Sequence, residues 1–158
     1  MKSFSPLEWS FWLPVLVAVA CGMIVGLERQ LRGKPLDVRT AVLICLGTHV
    51  FIRLGADLTT ERVDATRVLG QMVTGVGFLG AGVILTRGGH VVGLTTASVI
   101  WVLAGIGAAI GFGQYTAAIA LSVVTFLVLN VLEWIENRVE HMRRGAHARA
   151  NEPDERRL

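Results

Sequence analysis

Two groups of polar residues have the residue types for binding or proton chemistry, and both lie beside apolar segments. The first group, the inner cluster, surrounds an early polar loop and a later glycine-rich turn: Glu28, Arg29, Arg39, Thr40, Arg87, Thr95 and Thr96. The second group, the outer cluster, consists of Asp64, Arg67 and Gln71. Ionisable groups at membrane depth are costly and are usually retained for a reason. From the residues alone, helix capping and charge pairing at the water interface explain both clusters as well as a functional role does. Arg39, one short loop after Glu28, is the cation expected to stabilise that carboxylate.

Motifs for enzymatic chemistry are missing from the sequence. Gly75-Val76-Gly77-Phe78-Leu79-Gly80 matches the dinucleotide fingerprint letter for letter, but no Asp or Glu follows before Glu133 to hold a ribose. The chain has no nucleophile elbow, no catalytic carboxylate pair and no metal-hydrolase helix. Cys21 and Cys45 lie in apolar segments, where they are expected to pack as small side chains. We therefore predict a protein that is not an enzyme and has no cofactor, and the sequence leaves a metal site undetermined.

The elements that must position these residues are predicted to be membrane-spanning helices. Hydrophobic residues make up 53% of the chain, and residues 68–86 and 91–132 contain no Asp, Glu, Lys, Arg or His. A helix needs about 20 apolar residues to cross the roughly 30 Å hydrocarbon layer. The sequence thus predicts an all-α polytopic membrane protein with about five spans and no strand. The predicted spans are residues 9–27, 38–56, 68–86, 94–112 and 115–132, within a transmembrane domain at 1–136 that precedes a basic tail at 137–158.

Glycine is concentrated in the third and fourth predicted spans. Twelve of the 18 glycines lie between Gly70 and Gly113, and small residues let helix backbones approach closely in a bilayer. We predict a helical hairpin around the Arg87-Gly88-Gly89-His90 turn. The glycines predicted to pack against other helices are Gly75, Gly77, Gly80, Gly82, Gly107 and Gly111.

Basic residues are distributed unevenly between the two sides of this five-span arrangement. Eleven of the fifteen Lys and Arg residues fall in the first loop, the hairpin turn and the tail. The positive-inside bias therefore places the C-terminus in the cytoplasm. Six of the fifteen follow Asn137 and are mixed with acidic residues, which favours a tail beside anionic lipid over a nucleic-acid surface. No nucleic-acid partner is predicted.

Several motifs resemble those of the MgtC/SapB family of bacterial membrane proteins, in consistent order from Gly22 to Gly113. The matching segments are Gly26-Leu27-Glu28-Arg29-Gln30, Gly33-Lys34-Pro35, Arg39-Thr40, Asp64 with Arg67, the run from Gly75 to Ile84, Gly93-Leu94-Thr95-Thr96-Ala97 and Trp101. The resemblance implies a multi-pass protein of the bacterial inner membrane, connected with magnesium limitation and acid stress. Members have been described as candidate magnesium transporters and, in the MgtC branch, as regulators that restrain the rotary ATP synthase.

Two departures from the MgtC branch favour the shorter, SapB-like form. That branch carries a soluble C-terminal domain, for which this chain has no room, and it has Asn where Thr95 stands. Two functions remain open. A regulator would pack its glycine faces against itself, as a homo-oligomer with a dimer favoured, or against a membrane partner such as ATP synthase. A small transporter of magnesium or another polar solute would instead show a water-filled cavity lined by His49, Arg53 or Gln71. That cavity is expected at an oligomer interface, because five helices enclose little space.

Overall fold

Five helices and one small hairpin make up the described part of the chain. The computed structural model describes residues 6–57, 65–87 and 89–150. The elements, in chain order, are α1 Trp9–Leu31, α2 Val38–Asp57, α3 Ala65–Gly82, β1 Leu85–Arg87, β2 His90–Val92, α4 Leu94–Gly111 and α5 Tyr115–Ala150. Four of these helices contain stretches long and apolar enough to cross a membrane: Trp9–Leu31, Val38–Ala56, Leu94–Gly111 and Tyr115–Ile135. The predicted fold class, an all-α polytopic membrane protein, is confirmed.

The connection between α3 and α4 corrects two predictions. The third span was expected to continue as helix to Thr86, but α3 ends at Gly82 and the chain becomes extended at Leu85. β1 and β2 pair antiparallel, with Arg87 opposite His90, so the expectation of no strand is wrong. The physical reason is local, because β-branched residues on both sides of a two-residue glycine turn favour a hairpin.

Gly93 joins this hairpin to α4 and must be glycine. Its φ of 94° lies in the left-handed region, and a Cβ at this position would overlap the carbonyl oxygen of Val83. The residue precedes the first turn of α4, and its own carbonyl accepts the first helical hydrogen bond, from Ala97 N at 2.9 Å.

Helix α2 packs between α1 and α4 through glycines on both sides. A Cβ on Gly22 would lie 2.6 Å from Val42 Cα, and one on Gly26 would lie 2.7 Å from Val38 Cα. On the other side, a Cβ on Gly107 would lie 2.5 Å from the carbonyl oxygen of Cys45. The α1 contacts run antiparallel to α2, whereas Gly107 and Gly111 contact successively later turns of α2. These three helices form the core.

Helix α3 connects α2 to α4, which are parallel, and therefore runs back along them. At one end Gly55 lies against Val68, and at the other Gly80 lies against Ala97. α3 is not among the four stretches that meet the length and composition needed for a span. The fifth crossing therefore stays a prediction.

The chain divides into two compact units, Met1–Phe126 and Leu127–Leu158. In the first unit, α5 contributes the buried residues Ala118 and Ser122, and Ser122 Oγ donates to the Ala118 carbonyl at 2.9 Å. In the second unit, the Arg138 guanidinium lies 5.3 Å from the Trp134 ring centre. This division lies ten residues before the predicted domain boundary at 136/137, which remains a prediction.

Candidate functional site

Two polar pairs lie where α1 ends beside the start of α4, Glu28 with Arg32 and Arg29 with Thr96. We call these four residues the rim cluster. The close packing of Gly22 and Gly26 on α2 draws the last turn of α1 against its neighbours. As a result Glu28, Arg29 and Thr96 are each only 4% exposed. Charged residues are almost never buried this deeply unless they are paired, so the contacts of each group decide what the cluster can do.

The Glu28 carboxylate is bound by Arg32 rather than by the predicted Arg39. Arg32 Nε lies 2.7 Å from Glu28 Oε1, one helical turn away, and the Arg32 side chain is 30% exposed. The pair meets the distance for an ion pair, while neither carboxylate oxygen has a partner with hydrogen-bond geometry. Glu28 is therefore neutralised on one side only. The sequence carried a signal for this pair, because Glu followed by Arg four residues later is a favourable helical spacing.

The Arg29 guanidinium reaches across to α4. Its Nη2 donates to Thr96 Oγ1 at a long 3.4 Å, and its Nε is buried without a partner. This contact joins residues 67 positions apart in the chain. The hydrogen bond links α1 to α4, and sequence spacing alone could not reveal it.

The other residues of the inner cluster do not join this group. Arg39 and Thr40 are exposed at the start of α2, where Asp37 Oδ1 accepts a hydrogen bond from Thr40 N at 2.8 Å. Hydrogen bonding to Thr40, and then the charge of Arg39, lower the pKa of Asp37. Thr95 is exposed, and the side chain of Arg87 lies outside the described part of the molecule. The capping explanation therefore accounts for this end of α2.

The outer cluster is described only in part. Arg67 and Gln71 are both exposed on α3, and Asp64 lies outside the described residues. The structure therefore provides no contact that joins these three residues into a site.

The glycines predicted to pack fall into two classes. Gly107 and Gly111 lie against the α2 backbone, and Gly80 is in ordinary contact with Ala97 at 3.7 Å. For Gly75, Gly77 and Gly82 packing stays a prediction, since a Cβ at each would meet nothing within 4 Å among the described residues. These three lie on the exposed side of α3. A high count of glycines in a span does not reveal which side of the helix each one occupies.

A cavity of about 80 Å³ lies between α2, α3 and α4. It is lined almost entirely by apolar groups: Thr48, Leu69, Met72, Val73, Val76, Trp101, Ala104, Gly105 and Ala108. His49 is buried, with no hydrogen-bond partner on either ring nitrogen, but it does not line this cavity, and neither do Arg53 and Gln71. Within the described ranges, no group of three His, Cys, Asp or Glu residues could hold a metal ion.

Comparison with known proteins finds one family and several relatives. Residues 15–138 match the MgtC family. The chain is 48% identical over 132 residues to Escherichia coli YhiD, which is named as a candidate magnesium transporter, covering 79% of this chain and 61% of that protein. It is 40% identical over 126 residues to MgtC of Salmonella typhimurium (80% and 53% covered) and 37% identical over 131 residues to SapB of Bacillus subtilis (78% and 56% covered).

The chain spans about three fifths or less of the length of these relatives. No solved structure matches it.

Proposed function

The chain belongs to the MgtC family, and on that premise we propose that it is a bacterial inner-membrane protein of magnesium homeostasis and stress adaptation that regulates a membrane partner. The rim cluster is the part of this chain that carries the regulation. The protein works as a homo-oligomer, with a dimer favoured, and its partner is a membrane protein such as ATP synthase.

The close packing of the helix core supports a regulator rather than a transporter. α1 and α4 touch the α2 backbone through glycines, and the cavity beside them is apolar. A path for a hydrated cation needs polar groups or water along its wall. His49, Arg53 and Gln71 do not line that cavity. A wall of methyl groups, one indole and one hydroxyl repels such an ion.

Transport is the second candidate, and one feature favours it. Both ring nitrogens of His49 are buried in the core without hydrogen-bond partners. A buried polar group in this state is either strained or completed by something that binds it. YhiD also bears a transporter name. A path formed between copies of the chain would be present in the oligomer.

Magnesium flux separates the two functions. The purified protein is reconstituted in liposomes that contain a magnesium-sensitive dye, and growth of a deletion strain at low magnesium is followed in parallel. We expect no protein-dependent magnesium entry, together with a growth defect that the wild-type gene corrects. Flux above that of protein-free liposomes, abolished by His49→Leu, would instead establish the transporter.

The orientation gives a separate prediction. Lys34 lies between α1 and α2, and Gln114 lies between α4 and α5; both are exposed. In a background with Cys21 and Cys45 replaced by alanine, a membrane-impermeant maleimide should label the Gln114→Cys protein in intact cells. It should label the Lys34→Cys protein only after lysis. Equal labelling of both from outside would contradict a cytoplasmic first loop and, with it, a cytoplasmic C-terminus.

A further inference from the structure

The first turn of α4 leaves its backbone donors without acceptors. Its N-cap is Gly93, which has no side chain to accept a hydrogen bond, and no side-chain cap is present. Among the described residues, no acceptor is found for the amides of Leu94, Thr95 and Thr96; the first helical hydrogen bond is donated by Ala97. Such an end carries a partial positive charge of about half a unit.

A buried cation lies against this end. Arg29 is 4% exposed and contacts Thr96, in the first turn of α4, through Nη2 at 3.4 Å. Its Nε is buried with no partner, and within the described ranges it forms no ion pair. A guanidinium beside the positive end of a helix is repelled by it, so each group needs a negative charge that none of the described residues places there.

Glu28 does not supply that charge. Its carboxylate is bound by Arg32 Nε at 2.7 Å, and the structure records no ion pair with Arg29. Neighbouring residues of a helix project about 100° apart, so Glu28 and Arg29 do not face each other. With one carboxylate and two guanidinium groups, the rim cluster keeps a net charge of +1.

We infer that the start of α4 and the Arg29 guanidinium together form a binding site for a phosphate-type oxyanion. Helix amides and the fork of a guanidinium are the two donor sets that bind tetrahedral oxyanions best. Leu94 and Thr95, at the start of α4, are exposed, so a ligand can reach this helix end from two sources. One is inorganic phosphate or a soluble phosphate ester; the other is the phosphate of a lipid headgroup. The inference deepens the regulatory role proposed above by assigning a ligand class to the rim cluster.

The test measures binding directly on the purified protein in nanodiscs. In the first arm the discs contain phosphatidylcholine only, and sodium phosphate is titrated at constant ionic strength while the thermal midpoint is followed. In the second arm the phosphate is omitted and phosphatidylglycerol or phosphatidic acid replaces part of the phosphatidylcholine. Arg29→Gln removes the guanidinium, Thr96→Val removes the hydroxyl that holds it, and Arg39→Gln is the matched control, an exposed arginine one loop away.

We expect a saturable rise of the midpoint in one arm, which identifies the source. The apparent affinity should fall about tenfold or more in Arg29→Gln, the loss expected for a charge-assisted hydrogen bond, and by a smaller factor in Thr96→Val. Arg39→Gln should bind as the wild type does. The inference is overturned if neither arm stabilises the wild type, or if folded Thr96→Val and Arg29→Gln proteins respond as strongly as Arg39→Gln. The binding test does not use growth as its readout. A failure of oxyanion binding can therefore be distinguished from a failure of the proposed regulatory role.

Discussion

Gly107→Leu should prevent the protein from accumulating as a stable membrane protein. Even the Cβ would lie 2.5 Å from the Cys45 carbonyl oxygen, 2.8 Å from Thr48 Cβ and 3.1 Å from Cys45 Cα. Two of these atoms belong to the α2 backbone, which cannot move aside as a flexible side chain would. We expect a loss of about 3 kcal/mol or more, at the upper end of overpacking costs and a large part of a typical folding free energy. Yield in the membrane fraction and the thermal midpoint in detergent measure it.

Two matched controls isolate the packing from the chemistry of the substitution. Gly105→Leu places the same side chain on the same helix where a Cβ meets nothing within 4 Å, at the wall of the apolar cavity. Gly77→Leu places it on the exposed side of α3, also in open space. In both control proteins each monomer should fold. If Gly77→Leu folds but no longer forms the oligomer, this side of α3 contacts another copy of the chain. If Gly107→Leu is as stable as the controls, α4 does not pack on α2 as described.

The helix limits were largely readable from the sequence because strong signals bound them. Pro35 and Asp37 precede α2, and Gly93 precedes α4, so the predicted starts at Val38 and Leu94 coincide with the observed ones. Limits without such signals were missed. Nothing polar separates Gly82 from Thr86, so the end of α3 was placed too late. β1 and β2 depend on the preference of the glycine turn between them for a hairpin, which the length of an apolar stretch does not indicate.

The position of each helix in the bundle could not be read in the same way. Hydropathy reports how well a segment suits lipid, whereas a helix surrounded by protein can tolerate polar groups. α2, whose predicted span contains the ionisable His49 and Arg53, lies at the centre of the core, with His49 buried in it. α5 shows the opposite case. Most of its large side chains, such as Leu121, Val124 and Leu127, are exposed, and its strongly apolar sequence suits a surface that contacts lipid.

The site was predicted by residue type but not by contact. The residue types predict Glu28, Arg29 and Thr96 as polar groups near one end of the helices; the structure buries all three and joins Arg29 to Thr96. Arg39 was chosen as the partner of Glu28 because it follows one short loop later. The helix geometry favoured Arg32 instead, since residues four apart share a face. The glycine contacts that set the depth of α1 against α2 decide which of these residues become buried, and a single sequence does not specify them.

Glu28→Gln should leave the protein folded and inserted but abolish its correction of low-magnesium growth. Glutamine has nearly the same shape and is cheaper to bury than a carboxylate. The released Arg32 is 30% exposed and can be solvated, so the thermal midpoint should change little. A buried carboxylate that is paired on one side only contributes little net stability. Its presence is better explained by a role in the charge balance of the rim cluster, and removing it changes that balance from +1 to +2.

The matched control for this change is Asp37→Asn, which also converts a carboxylate to an amide, at the start of α2 rather than near the end of α1. Asp37 accepts a hydrogen bond from Thr40 N at the start of α2, and asparagine caps a helix about as well as aspartate. That variant should grow like the wild type. A purely architectural Glu28 would lose yield and thermal stability together with growth. Normal low-magnesium growth of a well-expressed Glu28→Gln strain would remove Glu28 from the functional site, because the charge could then be absent without consequence. The regulatory role would in that case have to rest on Arg29 and Thr96, whose contact across α1 and α4 does not depend on the carboxylate.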